Sequence, residues 1–75
     1  MCIIALKSMT HAIKAKKALN DYFVSAEIIK LEPSMTKKGC AYGVEFNCYN
    51  LVQVQEILRM RGVRYTELIE VMGKL

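Results

Sequence analysis

A two-layer α+β sandwich is the fold class this sequence predicts, and three observations carry it. Four short apolar or β-branched runs and two stretches of helical period follow one another in the order β-α-β-β-α-β. The chain has 75 residues, enough for one domain over 1–75 and too few for two. Hydrophobic residues make up 53% and charged residues 24%, which excludes disorder and low-complexity tracts while leaving only a thin core.

Each element has its own signal. Cys2–Leu6 is a continuous apolar run of strand length, as in a central strand. Ser8 offers an N-cap, and Ala12, Ala15, Leu19 and Tyr22 recur at helical spacing with Phe23 beside them, so the first helix is expected over Met9–Phe23. Asn20 and Asp21 weaken its last turn. Ala26–Glu32 carries β-branched residues with partial alternation and reads as the second strand, stopped by Pro33. Pro33–Gly39 has the composition of a loop. Cys40–Phe46 then alternates, placing Cys40, Tyr42, Val44 and Phe46 on one face and Ala41, Gly43 and Glu45 on the other. Asn50 and Gln53 form a capping-box-like pair at the start of the second helix, whose stripe is Leu51, Val54, Ile57 and Leu58. Arg59 and Arg61 complement its dipole, and Gly62 suits the position after its end. Val63–Val71 reads as a last strand with the poor alternation of an edge.

For that order of elements the expected arrangement is the ferredoxin-like split-βαβ sandwich: a four-stranded antiparallel sheet with strand order 4-1-3-2 and both helices on one face. Following the chain through it gathers several groups at one end of the sheet. They are Cys40 and Gly39, the first turn of the first helix from Ser8 to His11, the loop lysines Lys37 and Lys38, and Arg61 or Arg64. Cationic neighbours and a helix N-terminus favour thiolate, so Cys40 is the candidate nucleophile. Gly39 beside it leaves room for a bulky sulfur donor. His11 is expected as a solvent-facing first-turn residue, with a Cys–His pairing as the sharper alternative. Cys2 and Cys48 fall at the opposite end and read as small hydrophobes.

Ser8-Met-Thr-His-Ala12, Pro33, and Gly39-Cys40 at the opening of strand three resemble a family of small bacterial proteins described as selenium/sulfur carrier-like. The resemblance runs from about Cys2 to Val71. It implies the ferredoxin-like fold, a persulfide or selenopersulfide held on Cys40, and a sulfur or selenium donor or acceptor protein as partner. The chain departs from the family where Ala41 follows the loop cysteine in place of glycine, and where Lys37 and Lys38 stand in place of smaller residues.

Other functions fit these residues less well. Lys38–Glu45 lines up loosely with an RNA-recognition motif, but Cys40 and Glu45 stand where stacking rings are needed and Cys2–Leu6 contains no aromatic residue. Nucleic acid is therefore not the expected partner. No C-x-x-C spacing and no cluster of His and Cys ligands marks a metal site, no cofactor motif occurs, and no base with an orienting partner accompanies Cys40. These features suggest an acceptor in transfer chemistry rather than a complete enzyme. The competing reading is a non-catalytic interaction or oligomerisation module, in which a second copy covers the apolar sheet face left open by the helices. No apolar run reaches the length of a membrane span, and Cys2–Leu6 is too short for a signal-peptide core. Three cysteines cannot all pair within one chain, so free thiols in a reducing cytoplasm are expected.

Overall fold

A computed structural model of the protein describes residues 1–37 and 39–71. Lys38, expected among the loop cations, lies outside them. The elements are β1 (Cys2–Leu6), α1 (Met9–Asp21), β2 (Ala26–Lys30), β3 (Tyr42–Phe46), α2 (Leu51–Arg61) and β4 (Glu67–Glu70), with 3₁₀ turns at Pro33–Met35 and Cys48–Asn50. The strands pair in the order β2-β3-β1-β4, all antiparallel, which is the expected α+β, ferredoxin-like arrangement. Leu6 faces Tyr42 and Cys2 faces Phe46 across β1 and β3, while Ala5 faces Glu67 and Cys2 faces Glu70 across β1 and β4. The end of the sheet near Leu6, called the upper end below, therefore holds the chain entering β3 and the chain entering β4.

β1 is buried on both faces, as a continuous apolar run requires. Cys2, Ile4 and Leu6 join Val44 and Phe46 beneath the helices, packed against Ala12, Ala15, Ala18 and Leu19 of α1 and Val54, Ile57 and Leu58 of α2. Alanines at three-residue spacing let α1 lie close on the sheet. Each large aliphatic chain buried there contributes about 1.5–3 kcal/mol.

The ends of the helices depart from expectation in instructive ways. Ser8 caps α1 as anticipated, its Oγ accepting from the His11 N–H at 3.3 Å. The helix stops at Asp21 instead of running through Phe23. Phe23 takes a left-handed conformation, φ 63°, which lets the Val24 N–H reach back to the Leu19 carbonyl at 2.9 Å. The reversal throws the Phe23 side chain into solvent, 97% exposed, and Tyr22 is exposed as well, so neither extends the buried stripe. The Asn50–Gln53 pair does not form: Asn50 makes no capping bond, and Asn47 caps the preceding 3₁₀ turn, its Oδ1 accepting from the Tyr49 N–H at 2.9 Å. That turn occupies the residues from which a helical cap would have worked. Gly62 closes α2 with φ 70°, as its position predicted.

The sheet face away from the helices is not left bare. Ile3 and Ala5 point to it and are only 2% and 0% exposed within the single chain. They are covered by Leu31 and Cys40, with Ile29 and Ile69 alongside. The connection from β2 to β3 does the covering: a bond from the Leu31 N–H to the Ala41 carbonyl at 2.8 Å closes its neck, and the Lys37 N–H reaches the Glu67 carboxylate of β4 at 3.0 Å. β2 and β4 are opposite edges of the sheet. The connection is thus a strap drawn across the face, and within the single chain it buries Ile3 and Ala5, which were expected to lie open there.

The expectation of three free thiols is also overturned. Cys2 and Cys48 form a disulfide, Cα–Cα 5.1 Å, with Cys40 the remaining free cysteine. They do lie at the lower end, opposite Cys40. Cys2 faces Phe46 in register, and two residues later the chain turns back beneath the sheet, bringing Cys48 within bonding reach. The odd count established only that one cysteine must remain unpaired.

Candidate functional site

Cys40 lies at the upper end, two residues before the register position at which Tyr42 meets Leu6. It does not share the face of Tyr42, Val44 and Phe46 as alternation suggested. β3 begins only at Tyr42, and Gly39, with φ 71°, turns the chain just ahead of Cys40. The side chain therefore enters the strap-covered face with Ile3, Ala5 and Leu31. It is 7% exposed. The role of Gly39 is conformational: a Cβ there would meet nothing within 4 Å, but the left-handed backbone favours glycine.

The thiol makes one side-chain hydrogen-bonding contact among the described residues. Cys40 Sγ lies 3.0 Å from Thr66 Oγ1, and Thr66 Oγ1 donates to the Ala5 carbonyl at 3.1 Å. With that proton committed, the hydroxyl oxygen is free to accept from the thiol S–H. The Thr66 N–H also bonds to the Ala5 carbonyl, at 2.8 Å, so the side chain is held rigidly at the entrance to β4. Thr66 escaped sequence reasoning because it belonged to a stretch read as one long edge strand. Only the pairing of β4 with β1 carries it to Cys40, 26 positions earlier in the chain.

Gly43 shapes the neighbouring surface. A Cβ there would stand 2.8 Å from Ile3 Cγ2, 3.0 Å from Leu31 Cδ1 and 3.1 Å from the Ile4 carbonyl oxygen. The absence of a side chain lets Leu31 and Ile3 close over the strand beside Cys40. Within the strap, Thr36 is 8% exposed, and its hydroxyl finds no hydrogen-bond partner among the described residues.

Thr66 also lines an open cleft of about 430 Å³, together with Lys7, His11, Gly62, Arg64 and Tyr65. His11 stands where the first turn of α1 puts it, with its Nδ1 2.8 Å from Ser8 Oγ. At the upper end Thr66 is the link: it touches Cys40 and also borders the cleft that His11 and Arg64 line, while Cys40 itself does not line that cleft; the Lys37 backbone is anchored on Glu67. Cys40 packs on one face of β1 and α1 lies over the other, so Ser8 and the first turn do not directly flank the sulfur. Arg61 is drawn elsewhere. Its guanidinium pairs with Asp21 at 3.3 Å and lies over the Tyr22 ring, 5.4 Å from the centroid. These contacts are at the end of α1 farthest from Ser8. Tyr22, and then Asp21, hold Arg61 above the ordinary arginine value despite some desolvation.

A group of possible metal donors lies at the lower end, where Cys2, Cys48 and Glu70 have ligand atoms within 4.8 Å of one another. With the two sulfurs joined as a disulfide they offer no thiolates. No helix among the described residues is long and apolar enough to cross a membrane.

Neither the curated proteins nor the solved structures contain a match to this chain. A family model described as "Putative Se/S carrier protein-like" does match, over residues 1–70, and the chain belongs to that family.

Proposed function

We propose that Cys40 is a carrier thiol, taking a sulfur or selenium atom from a donor protein and passing it to an acceptor. The observation that carries the reading is chemical: of three cysteines, Cys2 and Cys48 are bonded to each other and Cys40 alone keeps its thiol. Membership of a selenium/sulfur carrier-like family supports a partner bearing one of those elements. For sulfur, the Cys40 thiolate attacks the terminal sulfur of a donor persulfide. An S–S bond forms to Cys40 as the donor's S–S bond breaks, the donor leaves as its thiolate, and no external oxidant is needed. Attack on the outer sulfur by an acceptor nucleophile returns the Cys40 thiolate.

Burial sets a condition on this chemistry. The strap must lift for a donor to reach Sγ, breaking the bond from the Lys37 N–H to Glu67 and separating Cys40 from Thr66. The unpartnered Thr36 hydroxyl lowers the cost of lifting, because it gains water when the strap opens.

The test is intact mass spectrometry after incubation with a cysteine desulfurase and cysteine. Gain of whole sulfur atoms is expected in the unmodified protein and in Cys2→Ser/Cys48→Ser, and not in Cys40→Ser. No gain in the unmodified protein would leave the burial of Cys40 as plain packing and favour a non-catalytic interaction module.

A further inference from the structure

We infer that the cleft at the upper end is a binding site for an oxyanion of the sulfate or phosphate type. Its lining gathers Lys7 just after β1, His11 from the first turn of α1, and Arg64 from the connection between α2 and β4. The other lining residues are Gly62, Tyr65 and Thr66, so no carboxylate borders the cleft. Lys7 and Arg64 take part in no ion pair among the described residues, whereas Lys16, Arg59 and Arg61 are each paired with an acid. His11 uses Nδ1 toward Ser8, and its ring makes no other hydrogen bond among the described residues.

Bringing like charges together without a carboxylate costs free energy in the empty protein, and an anion removes that cost. A guanidinium fork and an ammonium on one concave surface suit a multi-oxygen anion better than chloride, because several charge-assisted hydrogen bonds form at once. The cleft at the other end of the molecule has the opposite character, bordered by Glu27 and Glu45 with no lysine or arginine. Lys14, Lys17 and Arg61 border another cleft, but there Arg61 is already paired with Asp21. This inference concerns binding alone and stands whether or not Cys40 carries sulfur.

Amide chemical shifts followed by NMR at low ionic strength test it, with inorganic phosphate, inorganic sulfate and AMP as probes and chloride at matched ionic strength as reference. Saturable shifts are expected at Lys7, His11, Arg64 and Thr66, and Lys7→Ala and Arg64→Ala should each weaken binding by about fivefold or more. Lys30→Ala, an exposed residue at the end of β2 outside the cleft, should leave it unchanged. Equal affinity for phosphate and AMP would identify a free ion as the ligand, and tighter binding of AMP would identify a phosphate ester, the same oxyanion in either case. Shifts no larger than those with chloride would overturn the inference. So would shifts spread equally over Lys14, Lys17 and Lys30, or binding indifferent to both Lys7→Ala and Arg64→Ala.

Discussion

Replacing Thr36 by valine should make Cys40 less reactive and the protein more stable at the same time. Thr36 is 8% exposed, and its hydroxyl has no partner among the described residues. A buried, unpartnered polar group costs about 1–3 kcal/mol, borne only while the strap is closed. Valine removes the hydroxyl and keeps the branched shape. Taking the lower figure, about 1 kcal/mol, the open fraction should fall about fivefold, since ~1.4 kcal/mol corresponds to a factor of ten. Alkylation of Cys40 by iodoacetamide reads that fraction directly when opening and closing are fast relative to the reaction. The signal is clean because the other two cysteines are joined to each other. Glu67→Gln should act in the opposite direction. It weakens the charge-assisted bond that anchors the Lys37 N–H, and for a half-buried carboxylate the reaction should quicken by about two- to fivefold. Faster alkylation in Thr36→Val, or an unchanged rate in both variants, would refute the strap as the barrier in front of Cys40.

Four further outcomes are expected. Phe23 is exposed and left-handed, so Phe23→Asn should stabilise the protein by about 0.5–1 kcal/mol, read as a thermal midpoint raised by about 2–8 °C; a lower midpoint would mean that the ring packs against something. Gly43→Ala places a Cβ 3.1 Å from the Ile4 carbonyl and against Ile3 and Leu31, so denaturant unfolding should show a loss of about 1–3 kcal/mol together with faster Cys40 alkylation. Asn47→Ala should cost about 0.5–2 kcal/mol in the same assay while Asn50→Ala costs little, because only Asn47 makes a capping bond. Reducing the Cys2–Cys48 bond, which spans 46 positions, should lower unfolding stability by about 2–4 kcal/mol; an unchanged midpoint would show that the link does not constrain the unfolded chain.

Local chemistry made much of the framework legible in the sequence. The all-apolar run Cys2–Leu6 has to be covered on both faces, which places it centrally, and β1 does lie between β3 and β4. Ser8 and Gly62 mark helix ends because their own side chain or backbone freedom does the capping, with no distant partner required. Chain direction through β-α-β-β-α-β then set Cys40 at the opposite end from Cys2 and Cys48. What the tertiary structure alone decided depends on residues far apart in the chain or on small departures from ideal geometry. Strict alternation would have put Cys40 under the helices, but a turn at Gly39 and a strand beginning two residues late moved it to the other face. A count of cysteines cannot reveal that the turn after Phe46 carries Cys48 onto Cys2. Neither Thr66 nor Glu67 carries any sign that it will meet the β2–β3 connection, since that meeting requires the loop to cross the full width of the sheet. Periodicity records which side of an element faces a core; it holds no information on which loop will lie over the opposite side, because loop placement is settled by the free energy of covering Ile3 and Ala5 once the sheet has formed.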